Sequence, residues 1–505
     1  MHRKIGILEL FENFQKGIAA GNLCDIMGED LQEMYFRNSR KKAAFMIAYQ
    51  DSTKQVFKMS VPIFVELLLQ LLVGNVDQFM VSHYSQNSVA AIGNANQVMN
   101  IVIIVLNVMS VATTILLSQY LGADNRRKIG EVCNISVLII AVASLVTTAA
   151  IVILHRQIFV WMQIPEEIIG EASSYLLIVG SCILIQGLYM TFAAILRSFA
   201  MLGHVMMVSL IMNLLNIVGN AILINGLLGA PRLGIVGAAI STDVSKFIGL
   251  VIVFFLFLKK TGIGISPVYF RPFPKDTAKK LLFIGLPSCG EELSYNLSQI
   301  VILGLINIFG TTVIATKVYC SMLANVAYVY TTAIAQATQI ALGYLIGAGQ
   351  LDRVSYRVKR TLGISILVSL SLILVIFLGS DWIFSLFTDD PAVHALGRKI
   401  ILVEFLLELG RAVNIVMSRC LVAAGDVKVP VAVGVVFMWS VAVALGYLFG
   451  IVLGYGLVGI WIAMALDECV RAVVFLIRFR TGKWREKLMV NAPADLPKPA
   501  GEPVL

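Results

Sequence analysis

Long apolar stretches follow one another along the chain from about residue 58 to residue 478, separated by short polar turns such as GADN at 122–125. A helix of about 20 residues spans the ~30 Å hydrocarbon layer of a bilayer. The pattern therefore predicts an all-α polytopic membrane protein. Its twelve expected transmembrane helices lie at 58–82, 88–119, 131–154, 170–197, 205–228, 234–258, 281–308, 313–346, 361–379, 393–420, 428–450 and 456–478.

The composition supports this prediction, because 58% of the residues are hydrophobic, only 14% are charged, and the mean hydropathy is +0.86. Soluble proteins are about 25% charged. The basic residues that give the net charge of +9 gather in alternate loops. This is the distribution of the positive-inside rule, so we expect both termini in the cytoplasm and no nucleic-acid partner. The seven cysteines form no CxxC pair, which argues against a zinc site or a disulfide framework.

Polar stretches divide the chain into five regions. We predict a cytoplasmic extension at 1–55, an amino-terminal lobe of six spans at 56–258, a basic cytoplasmic linker at 259–280 and a second six-span lobe at 281–480. The tail at 481–505 is rich in proline, and we expect it to be disordered in the cytoplasm.

The first predicted span carries polar residues inside an apolar run: Pro62, Glu66, Gln70 and Asp77. A carboxylate at membrane depth costs about 2.5–3.5 kcal/mol on the most lenient insertion scale. Glu66 and Asp77 are eleven residues apart, which places them close to one face of a helix. That face must therefore point at protein or water and not at lipid.

The two halves of the chain resemble each other at a shift of about 225 residues. Pro62 with Glu66 corresponds to Pro287 with Glu291, and LGADNRRK at 121–128 corresponds to IGAGQLDR at 346–353. LGIVGAAI at 233–240 and YGLVGIWI at 455–462 match at a shift of 222. Each repeat has six spans, so the lobes are expected to be related by a pseudo-two-fold axis along the membrane normal, with the substrate site between them.

Several motifs resemble those of the multidrug and toxic compound extrusion (MATE) family over roughly residues 55–480. They are Pro62–x7–Gln70–x6–Asp77, VDQFMVS at 76–82, LxSQYLGA at 116–123, GLPS at 285–288 and AAGD at 423–426. The resemblance implies a monomeric antiporter of the bacterial inner membrane. Such a protein expels organic cations or other amphipathic compounds in exchange for Na⁺ or H⁺ and needs no further cofactor.

The resemblance also implies a cation site in the amino-terminal lobe. Asp77 matches the family's first-helix aspartate, Asn216 the fifth-helix asparagine and Thr242 the sixth-helix hydroxyl. Asn220 stands where one branch has an aspartate, and Asp243 is an additional acid. Oxygen ligands of this kind suit Na⁺, above all at Asp77 and Asn216, whereas a buried carboxylate equally suits a proton. The alternative role for the amides is hydrogen bonding between helices.

A second candidate set lies in the other lobe. Glu291 and Glu292 are its seventh-helix acids, since Tyr295 occupies the position of the glutamate found in related branches. The family has an aspartate in the tenth span, and its counterpart here depends on the alignment. Counting back eleven residues from Arg419 gives Glu408, whereas aligning on the Gly425 loop gives Arg411. Glu408, Arg411 and Asn414 are three residues apart on one helix face, so mutual neutralisation of Glu408 and Arg411 is the alternative role.

We expect five of these polar residues to line the substrate cavity: Glu66, Gln70, Tyr295, Arg411 and Asn414. The acidic bias of the spans favours a cationic substrate and a secondary-active exporter. A lipid-linked oligosaccharide flippase of the same superfamily and a channel or receptor are the alternatives. We do not expect an enzyme, because the sequence contains no nucleophile elbow or Walker motif.

Overall fold

The structure is a computed structural model that describes the backbone of residues 53–82 and 85–490, with the side chains of 71–79 and 82 outside the description. Most of the predicted extension at 1–55 and the tail from residue 491 lie outside the described residues. Within the described ranges the regular elements are all helical. The prediction of an all-α chain is therefore confirmed.

The amino-terminal lobe contains seven helices. They are α1 (Thr53–Ser82), α2 (Gln86–Gly122), α3 (Arg126–Trp161), α4 (Glu166–Ser181), α5 (Ile183–Ser198), α6 (Leu202–Asn225) and α7 (Ile235–Thr261).

The second lobe begins with α8 after a segment that contains a short 3₁₀ helix at Pro267–Phe270. Its helices are α8 (Lys275–Asn307), α9 (Thr311–Gly347), α10 (Leu351–Leu378), α11 (Ser380–Ser385), α12 (Pro391–Ala423), α13 (Lys428–Phe437), α14 (Ala444–Tyr447) and α15 (Gly456–Arg480). A π-helical segment, Met438–Val443, joins α13 to α14, and a second one, Leu448–Val452, follows α14, so that residues Lys428–Val452 form one span.

Seven of the described spans are long and apolar enough to cross a membrane, and the bent pair α4–α5 makes an eighth. The other four are α1, α8, α12 and α15, and each carries acidic residues within its apolar sequence. Together they make the twelve predicted spans. Large apolar side chains face outward, for example Ile153 at 76% and Leu378 at 75% exposure. Such a surface is suited to lipid contact.

The structure differs from the sequence prediction in three places. The span predicted at 170–197 is broken at Cys182, where α4 and α5 meet at 47°. The predicted linker is shorter, because α7 continues to Thr261 and α8 starts at Lys275. The expected disorder is wrong for the first part of the tail: Trp484 stacks on Phe479 at 5.2 Å and is 1% exposed. Burying an aromatic ring outweighs the polar composition around it.

The two lobes meet along four helices. In one lobe α2 packs on α3, α4 and α5, and in the other α12 packs on α9, α10 and α15. Between the lobes, α9 lies against α1 and α2, and α8 lies against α2. The helices that start each repeat, α1 and α8, each contain a proline, Pro62 and Pro287. Proline removes an intrahelical hydrogen bond, so both helices are prone to bending at equivalent positions.

Two hydrogen bonds close the interface at the end where α2 and α9 finish, which we call the closed end. The Gln119 side-chain amide donates to the Ala423 carbonyl at 2.6 Å, and the Tyr344 hydroxyl donates to the Ser198 carbonyl at 2.8 Å. Both acceptors are the last residues of their helices, α12 and α5, where carbonyls lack intrahelical partners. Gln119 and Tyr344, like Ser198 and Ala423, are related by the 225-residue shift of the repeat. The closed end is therefore built from two symmetry-related copies of one contact.

Glycines allow the backbones of α2 and α9 to touch at the closed end. A Cβ at Gly122 would collide with the backbone of Tyr344, and one at Gly347 would collide with the backbone of Gln119. Gly122 and Gly347 are also related by the repeat. Because backbone atoms cannot move aside as a flexible side chain can, these two positions require glycine in this conformation.

We expect Gly347→Ala to open the closed end. The added methyl overpacks the α2–α9 contact, at a cost of about 1–3 kcal/mol in this conformation only. Double electron–electron resonance between spin labels at Arg126 and Lys359, with the other cysteines replaced, should show longer distances between the lobes. The matched control is Gly304→Ala, since a Cβ at Gly304 meets nothing within 4 Å. Equal distance distributions in both variants would contradict the requirement for glycine.

Candidate functional site

A cavity of about 580 Å³ lies in the amino-terminal lobe and is completed by one face of α9. Eight carboxamide side chains line it: Gln70, Asn96, Asn100, Asn107, Gln186, Asn213, Gln336 and Gln339. Along α2, the cavity lining ends at Thr114. Ser118, which precedes Gln119 of the closed end, is four residues or about 6 Å further along the helix. The contacts of the closed end therefore form the floor of this cavity.

A buried ion pair lies in the wall of the cavity. Arg197 donates to Glu66 at 2.8 Å, and the two side chains are 18% and 7% exposed. Arg197 directly precedes Ser198, whose carbonyl accepts the hydrogen bond from Tyr344. The predicted cavity residue Glu66 is thus linked through its partner to the closed end.

A lysine also lines the cavity, although it lies within an apolar transmembrane sequence. Lys246 is on α7, three residues after Asp243, and the two charges interact electrostatically. Asp243 is 8% exposed and lies beside the Cys182 thiol at the α4–α5 break. Lys246 therefore lines the cavity, and Asp243, which does not, interacts with it from one helical turn away.

The structure brings together part of the predicted cation site of this lobe. The Asn216 side-chain amide donates to the Thr242 hydroxyl at 3.1 Å, and the Ser241 hydroxyl donates to the Asn216 backbone carbonyl at 2.9 Å. Asn220 is fully buried one turn further along α6. Asp77 is on α1, which packs along α6, but its side chain lies outside the described residues.

A charged network occupies the interior of the second lobe. Arg411 pairs with Glu408 and lies 3.3 Å from Glu404, whose other oxygen accepts a 2.5 Å hydrogen bond from Trp461. The Arg411 guanidinium also lies over the Tyr328 ring at 5.8 Å. Glu404 and Glu408 are 1% and 0% exposed. Glu408 and Arg411 therefore form the ion pair that was the alternative role for these residues, and a second glutamate shares the arginine.

The network continues onto α15. Arg471 pairs with Asp467 and lies 3.2 Å from Glu468, which accepts a 2.6 Å hydrogen bond from Asn414. Counted over both parts, four carboxylates meet two arginines, which leaves two excess negative charges when all are ionised. An uncompensated buried charge costs several kcal/mol, so these acids require a further positive partner or a proton.

Glu291 and Glu292, the acids of the seventh span, are on α8 at the edge of this network. Glu291 interacts electrostatically with Arg471 and Arg419, whereas Glu292 is exposed. Tyr295 is 37% exposed. The expected substrate-lining set is therefore divided: Glu66 and Gln70 line the amino-terminal cavity, but Tyr295, Arg411 and Asn414 belong to the other lobe. The sequence assigns each residue to a lobe, but the packing of the helices decides which of them face the same cavity.

Three residues of these sites were missed in the sequence. Glu404 precedes Glu408 by one helical turn, so the helical spacing used for Arg411 would have found it. Lys246 is a base in the middle of a predicted span, which is itself a functional signal. Trp461 carries no sequence signal, because its contact with Glu404 depends on how α15 packs on α12.

The described acids do not form a multi-ligand metal centre. Among residues 53–70 and 85–490, no three His, Cys, Asp or Glu side chains converge in a way that would hold a metal ion. The carboxylates of the second lobe are instead divided among Arg411, Arg471, Asn414 and Trp461.

Twelve spans in two repeated lobes, with a polar cavity and a buried acidic network, define a multi-pass membrane transporter. A family model described as MatE matches residues 62–222 and 287–448, once in each repeat and over more than half of the chain. The chain belongs to this family, the MATE transporters.

Relatives and solved structures agree with this family. The uncharacterized transporter YisQ of Bacillus subtilis is 37% identical over 446 residues, which cover 87% of this chain and 96% of YisQ. A probable multidrug resistance protein NorM of Thermotoga maritima is 24% identical, covering 87% of this chain and 94% of that protein. A crystal structure of MATE in the bent conformation superimposes with a TM-score of 0.79 at 21% identity, over 87% of this chain and 98% of that chain. The last likeness shows the shared fold.

Proposed function

We propose that this transporter is a secondary-active antiporter that exports amphipathic compounds in exchange for protons by alternating access. The main observation in support of this proposal is the buried network of the second lobe, which contains two more carboxylates than arginines. Such an excess is tolerated only when something positive occupies the site. A coupling ion that binds and leaves supplies this charge in one half of the cycle.

The arrangement of free oxygens favours a proton over Na⁺. Glu408 Oε2 and Asp467 Oδ1 are buried and find no hydrogen-bond partner among the described residues. A proton on each oxygen would remove the two excess charges. Na⁺ needs several oxygen ligands around one point, whereas the remaining oxygens here already accept from arginine, asparagine and tryptophan.

The conformation supports alternating access. The closed end seals the amino-terminal cavity behind Ser118 and Gln119 with two hydrogen bonds and a glycine contact. The basic first turn of α3, Arg126–Lys128, lies at this end, and the positive-inside rule favours a cytoplasmic location for it and for both termini. The structure is then the state closed to the cytoplasm. Breaking these contacts on ion exchange would open the other access route.

A flippase for a pyrophosphate-linked glycan remains the second candidate because Arg197 and Lys246 line the cavity. Arg197 is already paired with Glu66 at 2.8 Å, and Lys246 interacts with Asp243. Both bases therefore have acidic neighbours, which favours the exporter over a site for a multiply charged anion.

Proton coupling is tested with purified protein in liposomes. We expect a pH gradient to accelerate export of ethidium, a cation, or of N-acetyl doxorubicin, which is uncharged, whereas a Na⁺ gradient alone has no effect. Glu408→Gln should remove the gradient dependence, because an amide cannot exchange the proton, and Asp77→Asn should do the same. Fluorescence of the entrapped compound gives the rate.

The matched control is Glu167→Gln, which alters an exposed acid in the first turn of α4. It should retain the wild-type rate and gradient dependence. Export of both compounds at rates indifferent to the pH gradient in the wild-type protein would overturn the proposal.

A further inference from the structure

A groove of about 560 Å³ runs along the first three turns of α8, on the outside of the second lobe. Its walls include Lys275, Lys279, Leu282, Phe283 and Leu286. The three apolar residues are exposed, Leu286 at 63%, so the described part of the chain leaves this surface uncovered. An uncovered apolar groove on a membrane-spanning chain is accessible to lipid.

The groove has a basic end and an apolar end. Lys275 and Lys279 are four residues apart, a leucine follows three residues later and another after a further four, which places all four side chains on one face of α8. Neither lysine belongs to an ion pair within the described residues, and Asp276 pairs with Lys280 at 3.0 Å instead. Two positive charges at the start of this face are therefore available to an external anion.

A third ammonium group lies beside the groove. Lys428 is the first residue of α13, which packs on α8, and its Nζ lies over the Phe283 ring at 5.7 Å. This cation–π contact holds a lysine of a second helix next to the apolar wall. Positive charge therefore comes to the groove from two helices.

The length of α8 places the lysines at the level of the lipid headgroups. Its 33 residues make a helix of about 50 Å, whereas the hydrocarbon layer is about 30 Å thick. The ends of α8 therefore extend beyond the hydrocarbon. Lys275 begins the helix, and Leu286 is about 16 Å further along, at the depth of the acyl chains. The basic and apolar ends of the groove match the two parts of a phospholipid.

The turn that carries the lysines is held in place by contacts on its opposite face. The Thr277 hydroxyl donates to Glu131 at 3.0 Å, and the Lys280 ammonium donates to the Tyr120 hydroxyl at 3.5 Å. Thr277 is two residues from each groove lysine, so its side chain points away from theirs. A groove that is already formed costs less to occupy, because the ligand does not have to order the backbone.

We propose that this groove binds a single anionic phospholipid. The lipid phosphate lies between the Lys275 and Lys279 ammonium groups, and an acyl chain follows the apolar wall to Leu286. Ammonium–phosphate hydrogen bonds are charge-assisted, and a lipid with a net negative charge carries no cation of its own to compete with the lysines. The site is separate from the amino-terminal cavity and does not depend on which compound is transported.

A second pair of lysines provides the comparison, because lysines near helix ends often reach the headgroups without forming a lipid site. Lys259 and Lys260 are exposed in the last turn of α7, and Lys259 lies over the Phe255 ring at 5.9 Å. The two are adjacent in the sequence, so their side chains point about 100° apart and do not share one face with an apolar wall.

The test measures lipid binding to the delipidated full-length protein in detergent by native mass spectrometry. Separate titrations with palmitoyl-oleoyl phosphatidylglycerol, which is anionic, and phosphatidylcholine of the same chains give the Kd of the first bound lipid. We expect the wild-type protein to bind phosphatidylglycerol about tenfold more tightly. The double variant Lys275→Gln, Lys279→Gln should lose most of this preference, whereas Lys259→Gln, Lys260→Gln should keep it.

Three further measurements separate charge, chain and free phosphate. The double variant Lys275→Arg, Lys279→Arg keeps both charges and should retain the preference for phosphatidylglycerol. Leu286→Gln makes the apolar wall polar and should weaken the binding of both lipids. Glycerol 1-phosphate, which has the phosphate ester without the acyl chains, should not displace the bound lipid.

Equal affinity of the wild-type protein for the two lipids would overturn the proposal. Equal losses in the two lysine-to-glutamine pairs would also overturn it, because any basic surface at this end of the protein would then suffice. Unchanged lipid binding in Leu286→Gln would refute the acyl-chain contact. Displacement by glycerol 1-phosphate would show that the groove recognises a free phosphate ester and would overturn its assignment to a lipid.

Discussion

Arg411→Met is expected to lower the free energy of unfolding by about 3–5 kcal/mol. Arg411 is the shared partner of Glu404 and Glu408, which are 1% and 0% exposed. Its removal leaves two carboxylates buried without their compensating charge, which is the costly way to break a buried ion pair. Thermal unfolding in detergent, followed by tryptophan fluorescence, should show a large drop in Tm, since Trp461 contacts Glu404 directly.

The matched control is Arg398→Met, which breaks the ion pair between Arg398 and Asp381. The side chains of Arg398 and Asp381 are 53% and 73% exposed, so water replaces the lost contact. The free energy of unfolding should therefore fall by less than about 1 kcal/mol. Similar shifts in Tm for the two variants would show that the network of the second lobe is solvated and does not carry a buried excess charge.

The double variant Gln119→Leu, Tyr344→Phe is expected to shift the protein away from the conformation described. Each replacement leaves a buried helix-end carbonyl, of Ala423 or Ser198, without its donor. An unsatisfied buried acceptor costs about 1–3 kcal/mol, so the two together cost about 2–6 kcal/mol in the closed conformation. In the open conformation these carbonyls are exposed to water, so the replacements do not destabilise it in this way.

Spin labels at Arg126 and Lys359 report the distance between the lobes at the closed end. The double variant should populate longer distances, and each single variant should give an intermediate shift of similar size because the two contacts are related by the repeat. Tyr330→Phe is the control, since it removes a buried hydroxyl that has no partner among the described residues. An unchanged distance distribution in the double variant would show that these hydrogen bonds do not hold the end closed.

The two lobes share a fold but differ in chemistry. The amino-terminal lobe has an amide-lined cavity with the Glu66–Arg197 ion pair in its wall, whereas the second lobe has a buried network with two excess carboxylates. Duplication supplied two equivalent halves, and the contacts at the closed end retained their symmetry. Under the proposed antiport mechanism, this difference would let one half hold a ligand and the other respond to a coupling ion.

The sequence by itself determined the spans, the repeat and the family. An apolar run of about 20 residues has few alternatives to a transmembrane helix, because backbone groups in lipid must satisfy one another within the helix. The same physics identified Glu66, Glu291 and Glu408 as unusual, since an acid within a span is costly wherever it points. The i, i+3 spacing of Glu408 and Arg411 was enough to predict their contact.

Only the tertiary structure decided which residues meet across helices. Arg197 is 131 residues from Glu66, and Trp461 is 57 residues from Glu404, so neither contact has a local signal. The same holds for the lining of the amino-terminal cavity, which includes Glu66 and Gln70 but not Arg411 or Asn414. Helical periodicity fixes the face on which a side chain lies, but the packing of helices fixes what that face meets, and this depends on the whole bundle.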